Sequence, residues 1–265
     1  MSGTALALRD ALRAEWTKQR TITGPRWLLL AVVTFTVAIS AAAMAATRCP
    51  AGIACPVDTT RLSLTGVQFG QAVVAILAVL AICNEYSTGM IRVTIASTPR
   101  RSLVLAAKAG LTSAQAVTAS AAAVLACVLA ARLILPGHGF TAARGFPLTS
   151  LADPATLRAA AGSVLYLALI ALLSTGVAAA VRDPAVAIGA VLAVLYVCPV
   201  IAAFVGNPAW HNRIERYSPM AGLNIQATTG LHGLPITPWA GLGVLAAWAG
   251  AAILGGGLVL KLRDA

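Results

Sequence analysis

An all-α integral membrane protein with six transmembrane helices is the fold class this chain predicts, and three observations carry it. Charged residues make up only 10% of the 265 positions and hydrophobic ones 59%, whereas soluble domains carry about 25% charged residues. Cutting the chain at each charge leaves uncharged stretches at 27–47, 62–84, 109–131, 159–181, 184–212 and 217–260. Each reaches the roughly 20 residues a helix needs to cross about 30 Å of hydrocarbon. The runs are continuous rather than alternating at period two, which excludes a β-barrel. Helices apolar all round need a non-aqueous solvent, so a soluble bundle is the weaker reading.

The elements follow in chain order. Residues 1–26 form a cytoplasmic N-terminal segment in which Ala5, Leu8, Leu12 and Trp16 recur at helical spacing, with Arg9, Arg13 and Arg20 to one side. Such an amphipathic helix suits the headgroup layer, Trp inward and Arg toward anionic lipid; a solvated extension is the alternative. The first span, 27–47, is too long for the core of a secretory signal, about 7–15 residues, and is expected to stay. In the loop at 48–61, Cys49 and Cys55 each stand beside a proline. On an oxidising outer face they can form a disulfide, with two free thiols as the alternative. No histidine accompanies the pair, which argues against a metal site.

The second span, 64–83, carries Gln68 and Gln71 with Gly66 and Gly70. Interhelical hydrogen bonds and close backbone approach account for these better than a polar pathway does. The third span, 109–131, is rich in Ala and Ser; an outer loop at 132–158 follows. Spans four and five, 159–181 and 185–205, are joined by a short inner turn at Arg182, Asp183 and Pro184. Pro199 is expected to bend the fifth span near its outer end. The sixth span is 239–260, with a cytoplasmic tail at 261–265. Between spans five and six, 207–238 is broken by Gly and Pro and only moderately apolar. It reads as an outer segment that dips into the membrane without crossing, which requires protein or water alongside its backbone; a plain surface loop is the alternative.

Lys and Arg set the orientation. Twelve of the nineteen fall on the side of the termini and seven on the other, so both termini are expected in the cytoplasm. The net charge of +11 is then a membrane-surface property, aimed at lipid. Stacking aromatics do not interleave it, and no nucleic-acid partner is expected. No Asp, Glu, Lys or Arg lies in a span interior, which disfavours an ion-coupled carrier. The chain has no GxxxxGK[ST] phosphate loop, and His138, His211 and His232 lie in outer segments without metal-ligand spacing. It is therefore not read as an enzyme and is expected to hold no metal or cofactor of its own.

The cytoplasmic insert at 84–108 is the most chemically distinctive stretch: NEYSTGMIRVTIASTPRR and then Lys108. Gly89 can end the helical extension of span two and Pro99 can stop a short helix over 90–97. Glu85, Tyr86 and Arg92 are then available to a partner, and Arg100 and Arg101 to headgroups or that same partner. Ordinary interfacial anchoring is the alternative for each charge.

Together with LRAEWTKQRT before span one and a last span closing on KLRD, this element resembles the permease subunits of type-2 ATP-binding cassette (ABC) exporters, in their actinobacterial form. The likeness covers essentially the whole chain in order and spacing. It implies an N-terminal helix along the membrane and a coupling helix between spans two and three that docks on a separate nucleotide-binding ATPase. It also implies a re-entrant outer segment before span six. ATP and Mg would be bound by that partner, and two permease subunits, identical or paralogous, would form the pathway. An amphiphilic, drug-like or lipid-like substrate exported across the cell membrane is the matching expectation. A non-transporting anchor or immunity subunit and an ion-coupled carrier are the rival readings.

Overall fold

Three helices of this chain start on an Asp or Asn followed by Pro. Asp153, Asp183 and Asn207 are N-caps whose side chains accept from the backbone N–H of Thr156, Val186 and Ala209, and Pro154, Pro184 and Pro208 fill the first helical position. The cap oxygen satisfies an orphan amide, and the proline forfeits an amide that had no partner anyway. Hydrogen bonds from the Thr156 amide and hydroxyl hold the exposed Asp153 carboxyl below the ordinary carboxylate range.

The computed structural model describes residues 9, 13, 16, 17, 23–50, 55–87, 101–146, 149–204 and 206–263. Among them no strand occurs, and the elements are α1 (Thr23–Ala46), the short α2 (Thr59–Ser63), α3 (Val67–Ser87), α4 (Arg101–Ile134), α5 (Pro154–Val181) and α6 (Pro184–Leu192). A π turn, Ala193–Val197, leads into α7 (Cys198–Phe204), followed by α8 (Pro208–Tyr217), a 3-10 run at Pro219–Gln226 and α9 (Pro238–Arg263). Six helical stretches among the described residues are long and apolar enough to cross a membrane: Arg26–Ala46, Thr59–Asn84, Leu105–His138, Pro154–Val181, Pro184–Ala202 and Pro238–Leu260. The molecule is a multi-pass membrane protein.

Several of these run past the uncharged stretches. The third begins at Leu105 inside a helix that starts at Arg101, so Lys108 lies within α4 rather than in a loop, and the fourth starts at Pro154 instead of 159. Charges near helix ends reach the headgroups on long stems or pack against protein, so a charge-free window marks the hydrocarbon core and not the helix. The π turn stands just before Pro199, where a bend was expected. A proline cannot give the usual hydrogen bond and crowds the carbonyl four residues back; a wider turn relieves that.

α5 is the hub. It packs against α3, α4, α6, α9 and the 219–226 run, and its pairing with α9 is the most extensive among the described residues. The crossing is close because of glycine: a Cβ at Gly176 would stand 2.3 Å from the Ala252 carbonyl carbon, and one at Gly256 would lie 2.4 Å from the Gly176 oxygen. α1 meets α3 in the same way, with Gly66 and Gly70 seated on Thr36 and the Gly66 amide donating to Ser40 Oγ at 2.9 Å. Between apolar helices in lipid no hydrophobic force favours contact, so close backbone approach and hydrogen bonds supply the attraction.

At one end a smaller cluster of Met44, Cys49, Leu135 and Phe140 caps α1 and α4, with Phe146 edge-on to Phe140. Cys49 and Cys55 are joined in a disulfide. The Cys49 carbonyl accepts from Arg144 at 2.9 Å and its amide donates to the His138 carbonyl at 2.9 Å.

Candidate functional site

The 219–226 run is where an irregular stretch of backbone enters the helical bundle. Pro219, Ala221, Gly222, Ile225 and Gln226 are buried against α5 and α9. Small residues make room on both sides. A Cβ at Gly241 of α9 would sit 2.2 Å from the Ala221 oxygen, one at Gly162 of α5 2.1 Å from Ile225, and one at Gly222 2.8 Å from the Tyr166 ring.

Hydrogen bonds line this seam. Ser163 and Tyr166 lie three residues apart, on one face of α5. Ser163 Oγ accepts from Gln226 Nε2 at 3.1 Å, and the Tyr166 hydroxyl, fully buried, donates to Gln71 Oε1 on α3. Three residues back along α3, the Gln68 carbonyl accepts from the Tyr196 hydroxyl of the π turn at 2.7 Å. These bonds tie α3, α5, the π turn and the 219–226 run to one another, so the bundle has a polar interior although no span has a charge at its centre.

Where the run leaves the bundle, two charged groups hold it. Asp58, the N-cap of α2, accepts from the Thr228 amide at 2.5 Å, the Thr228 hydroxyl at 2.7 Å and the Thr229 amide at 2.9 Å, besides the Arg61 amide at 3.0 Å. Arg158 of α5 donates to the Ala227 carbonyl at 2.6 Å. Burial alone would raise the Asp58 carboxyl, but these donors outweigh it and its pKa lies below the ordinary carboxylate range. Thr60 and Thr156 share a buried hydrogen bond at 3.3 Å that joins α2 to α5 beside the clamp. No nucleophile paired with a base is present in the seam, and no group of three His, Cys, Asp or Glu among the described residues could hold a metal ion. What this arrangement offers is a short 3-10 segment held between α5 and α9 and tied at its exit to Asp58 and Arg158.

The residues singled out in the sequence are dispersed. Arg9, Arg13 and Trp16 are helical and exposed, and the Thr17 hydroxyl donates to the Arg13 carbonyl at 3.0 Å; Arg20 lies outside the described residues. Glu85 and Tyr86 fall in the last turn of α3, and Arg101 opens α4. Gly89, Arg92, Pro99 and Arg100 lie outside the described residues. Lys108 is buried on α4. Sequence reasoning missed Asp58, Arg158, Thr228 and Thr229 as a set. The Asp58-Thr-Thr start of α2 was legible as an N-cap, but its reach to Thr228, 170 residues away, was not.

No protein-family model matches this chain, and no curated protein matches it.

Proposed function

We propose that this chain is the membrane-spanning permease subunit of an ATP-driven exporter of the type-2 ABC kind. The observation that carries the reading is the order of three elements: LRAEWTKQRT ahead of the first apolar helix, NEYSTGMIRVTIASTPRR between the second and third, and KLRD closing the last. The buried 219–226 run supports it from another side. A segment that enters the bundle between α5 and α9 without continuing as a span is what a gated outer cavity needs.

In this reading both termini are cytoplasmic in the cell membrane, residues 84–108 dock on a separate nucleotide-binding ATPase that binds ATP and Mg, and the 207–238 segment is re-entrant from outside. A second permease subunit, identical or paralogous, completes the pathway. ATP-driven closure of the ATPases moves the docked segment and tilts spans one, two and five, and a cavity open to the inside becomes open to the outside. Such a switch needs no catalytic residue in this chain. The cargo is an amphiphilic, drug-like or lipid-like molecule.

The test is gentle solubilisation of the tagged chain from its native membrane and identification of what co-purifies, for the wild type and for Arg92→Glu. Recovery of an ATPase that the variant loses is the expected result. Its absence under conditions that preserve other membrane complexes overturns the proposal in favour of a carrier or an anchoring subunit.

A further inference from the structure

Two cavities that the seam does not use meet at one hydrogen bond. The first, of about 590 Å³, lies between α8 and residues 233–235, and α8 presents Asn212, Arg213 and Arg216 to it. That volume is in the range of small-molecule sites. Its one carboxylate, Glu215, stands 3.5 Å from His211 Nε2, its own neighbour one helical turn back. Arg213 lies over the Trp210 ring, 5.5 Å from the centroid. A guanidinium stacked in this way keeps its in-plane N–H groups for an anion, and the fork they form fits phosphate oxygens.

The second is an apolar groove of about 240 Å³ between α5, α6 and α9, lined by Leu173, Val177, Val191, Val194, Trp248 and Ala251. Trp248, which walls this groove, donates from Nε1 to the carbonyl of Tyr217 at 3.0 Å, and Tyr217 walls the cationic cavity. Trp248 stands ten residues into α9, about 15 Å below its start. α8 reaches that level by running back along α7, with His211 Nδ1 2.8 Å from the Ala202 carbonyl. The cavity therefore reaches from residues 233–235, just ahead of α9, to Tyr217 at the level of Trp248, where the groove adjoins it. Trp210, beneath the Arg213 guanidinium, and Trp239, one residue into α9, are both exposed, the placement that aromatic side chains take at the boundary between headgroups and hydrocarbon.

A cationic chamber that adjoins an apolar groove matches one ligand shape, a phosphate-bearing head on an acyl chain. We propose that α8 and residues 233–235 seat the headgroup of an anionic phospholipid, with one acyl chain lying in the groove past Trp248. The site rests on these two cavities alone and stands whether or not the chain works with an ATPase.

Native mass spectrometry of the purified full chain in detergent tests it, with phosphatidylglycerol, phosphatidylcholine of the same chains, and chainless glycerophosphate as the added probes. The wild type is expected to retain one phosphatidylglycerol about tenfold more tightly than phosphatidylcholine, the scale of one charge-assisted hydrogen bond. Arg213→Gln with Arg216→Gln should bring the two lipids to parity, while the Arg213→Lys, Arg216→Lys pair keeps most of the preference. Ala251→Phe, which fills the groove, should weaken both lipids. An unchanged melting temperature in the lysine pair and in Ala251→Phe separates these effects from misfolding. Equal retention of the two lipids by the wild type, or glycerophosphate held as tightly as phosphatidylglycerol, overturns the proposal.

Discussion

α5 and the α6–α7 helix are neighbours in the chain, joined at Arg182 and Asp183, and nearly equal in apolar character. Their mean hydropathies over the best window are 2.3 and 2.5, yet 61% of that window is buried in α5 and 22% in α6–α7. The difference lies in shape and in polar groups. α5 carries Gly162, Ser163, Tyr166 and Gly176 toward its neighbours, and its Ser174 and Thr175 hydroxyls fold back on the Ile170 and Ala171 carbonyls at 2.7 and 2.8 Å. With those hydroxyls satisfied, most of the helix surface can be packed, leaving Leu157 and Leu165 exposed. α6–α7 presents Val186, Val197, Val200, Ile201 and Phe204 outward, and it is interrupted by the π turn. Hydropathy decides which helices enter a membrane; surface relief and hydrogen bonding decide which of them sits in the middle. In lipid an exposed Val costs nothing, so the two kinds of helix look alike in composition.

Glycine gives the sharpest way to break that comparison. Gly176→Leu places side-chain atoms where the α9 backbone stands, whereas a Cβ at Gly189 of α6 meets nothing within 4 Å. The first substitution should cost about 3 kcal/mol or more and the second about 0.5 kcal/mol or less. Thermal unfolding of the two variants in the same detergent reads both, and equal melting temperatures would mean that α5 is not the hub.

The clamp at Asp58 comes next in size. Asp58→Ala removes an N-cap and the acceptor for Thr228 and Thr229, a loss of about 2 kcal/mol. The sign of its pH dependence follows from the lowered carboxyl. The folded chain prefers the ionised form, so the contribution is full above the ordinary value of 3.8 and is lost as the pH falls below it through the depressed folded value. The gap in stability between wild type and Asp58→Ala should therefore narrow as the pH falls below 3.8. A gap of constant size across acid titration would assign the loss to packing instead.

The smallest effect sharpens the account of the seam. Tyr166→Phe leaves Gln71 Oε1 buried without its donor and should cost about 1 kcal/mol. Adding Gln71→Leu should restore part of that, because the pair then lacks both polar partners and no group is left unsatisfied. If the double variant loses the full sum of the two single losses, the two side chains do not act through each other.

Much of the fold was legible residue by residue. Six apolar stretches, the role of Gly66 and Gly70 in close approach, and the glycine- and proline-broken character of 207–238 all follow from local composition. The ends of the helices were less legible, as Lys108 within α4 and Pro154 at the start of α5 show, since charged and capping residues belong to a helix but not to its apolar window. Of the site, Gln71 was visible as a polar residue in a span, but its partner Tyr166 was one aromatic among many apolar neighbours. Asp58 and Arg158 looked like two outer-loop charges, and their shared hold on residues 227–229 is carried by contacts across 170 and 69 residues of chain.

The amino-acid sequence by itself determined how many helices enter the membrane and about where each lies, because insertion is a sum of transfer free energies over some 20 consecutive residues. Only the tertiary structure decided that α5 stands at the centre, that the 219–226 run lies between α5 and α9, and that Asp58 and Arg158 close over its exit. Those outcomes depend on matching a glycine or a hydrogen-bond donor on one element to its complement far along the chain, and no local sum contains that match.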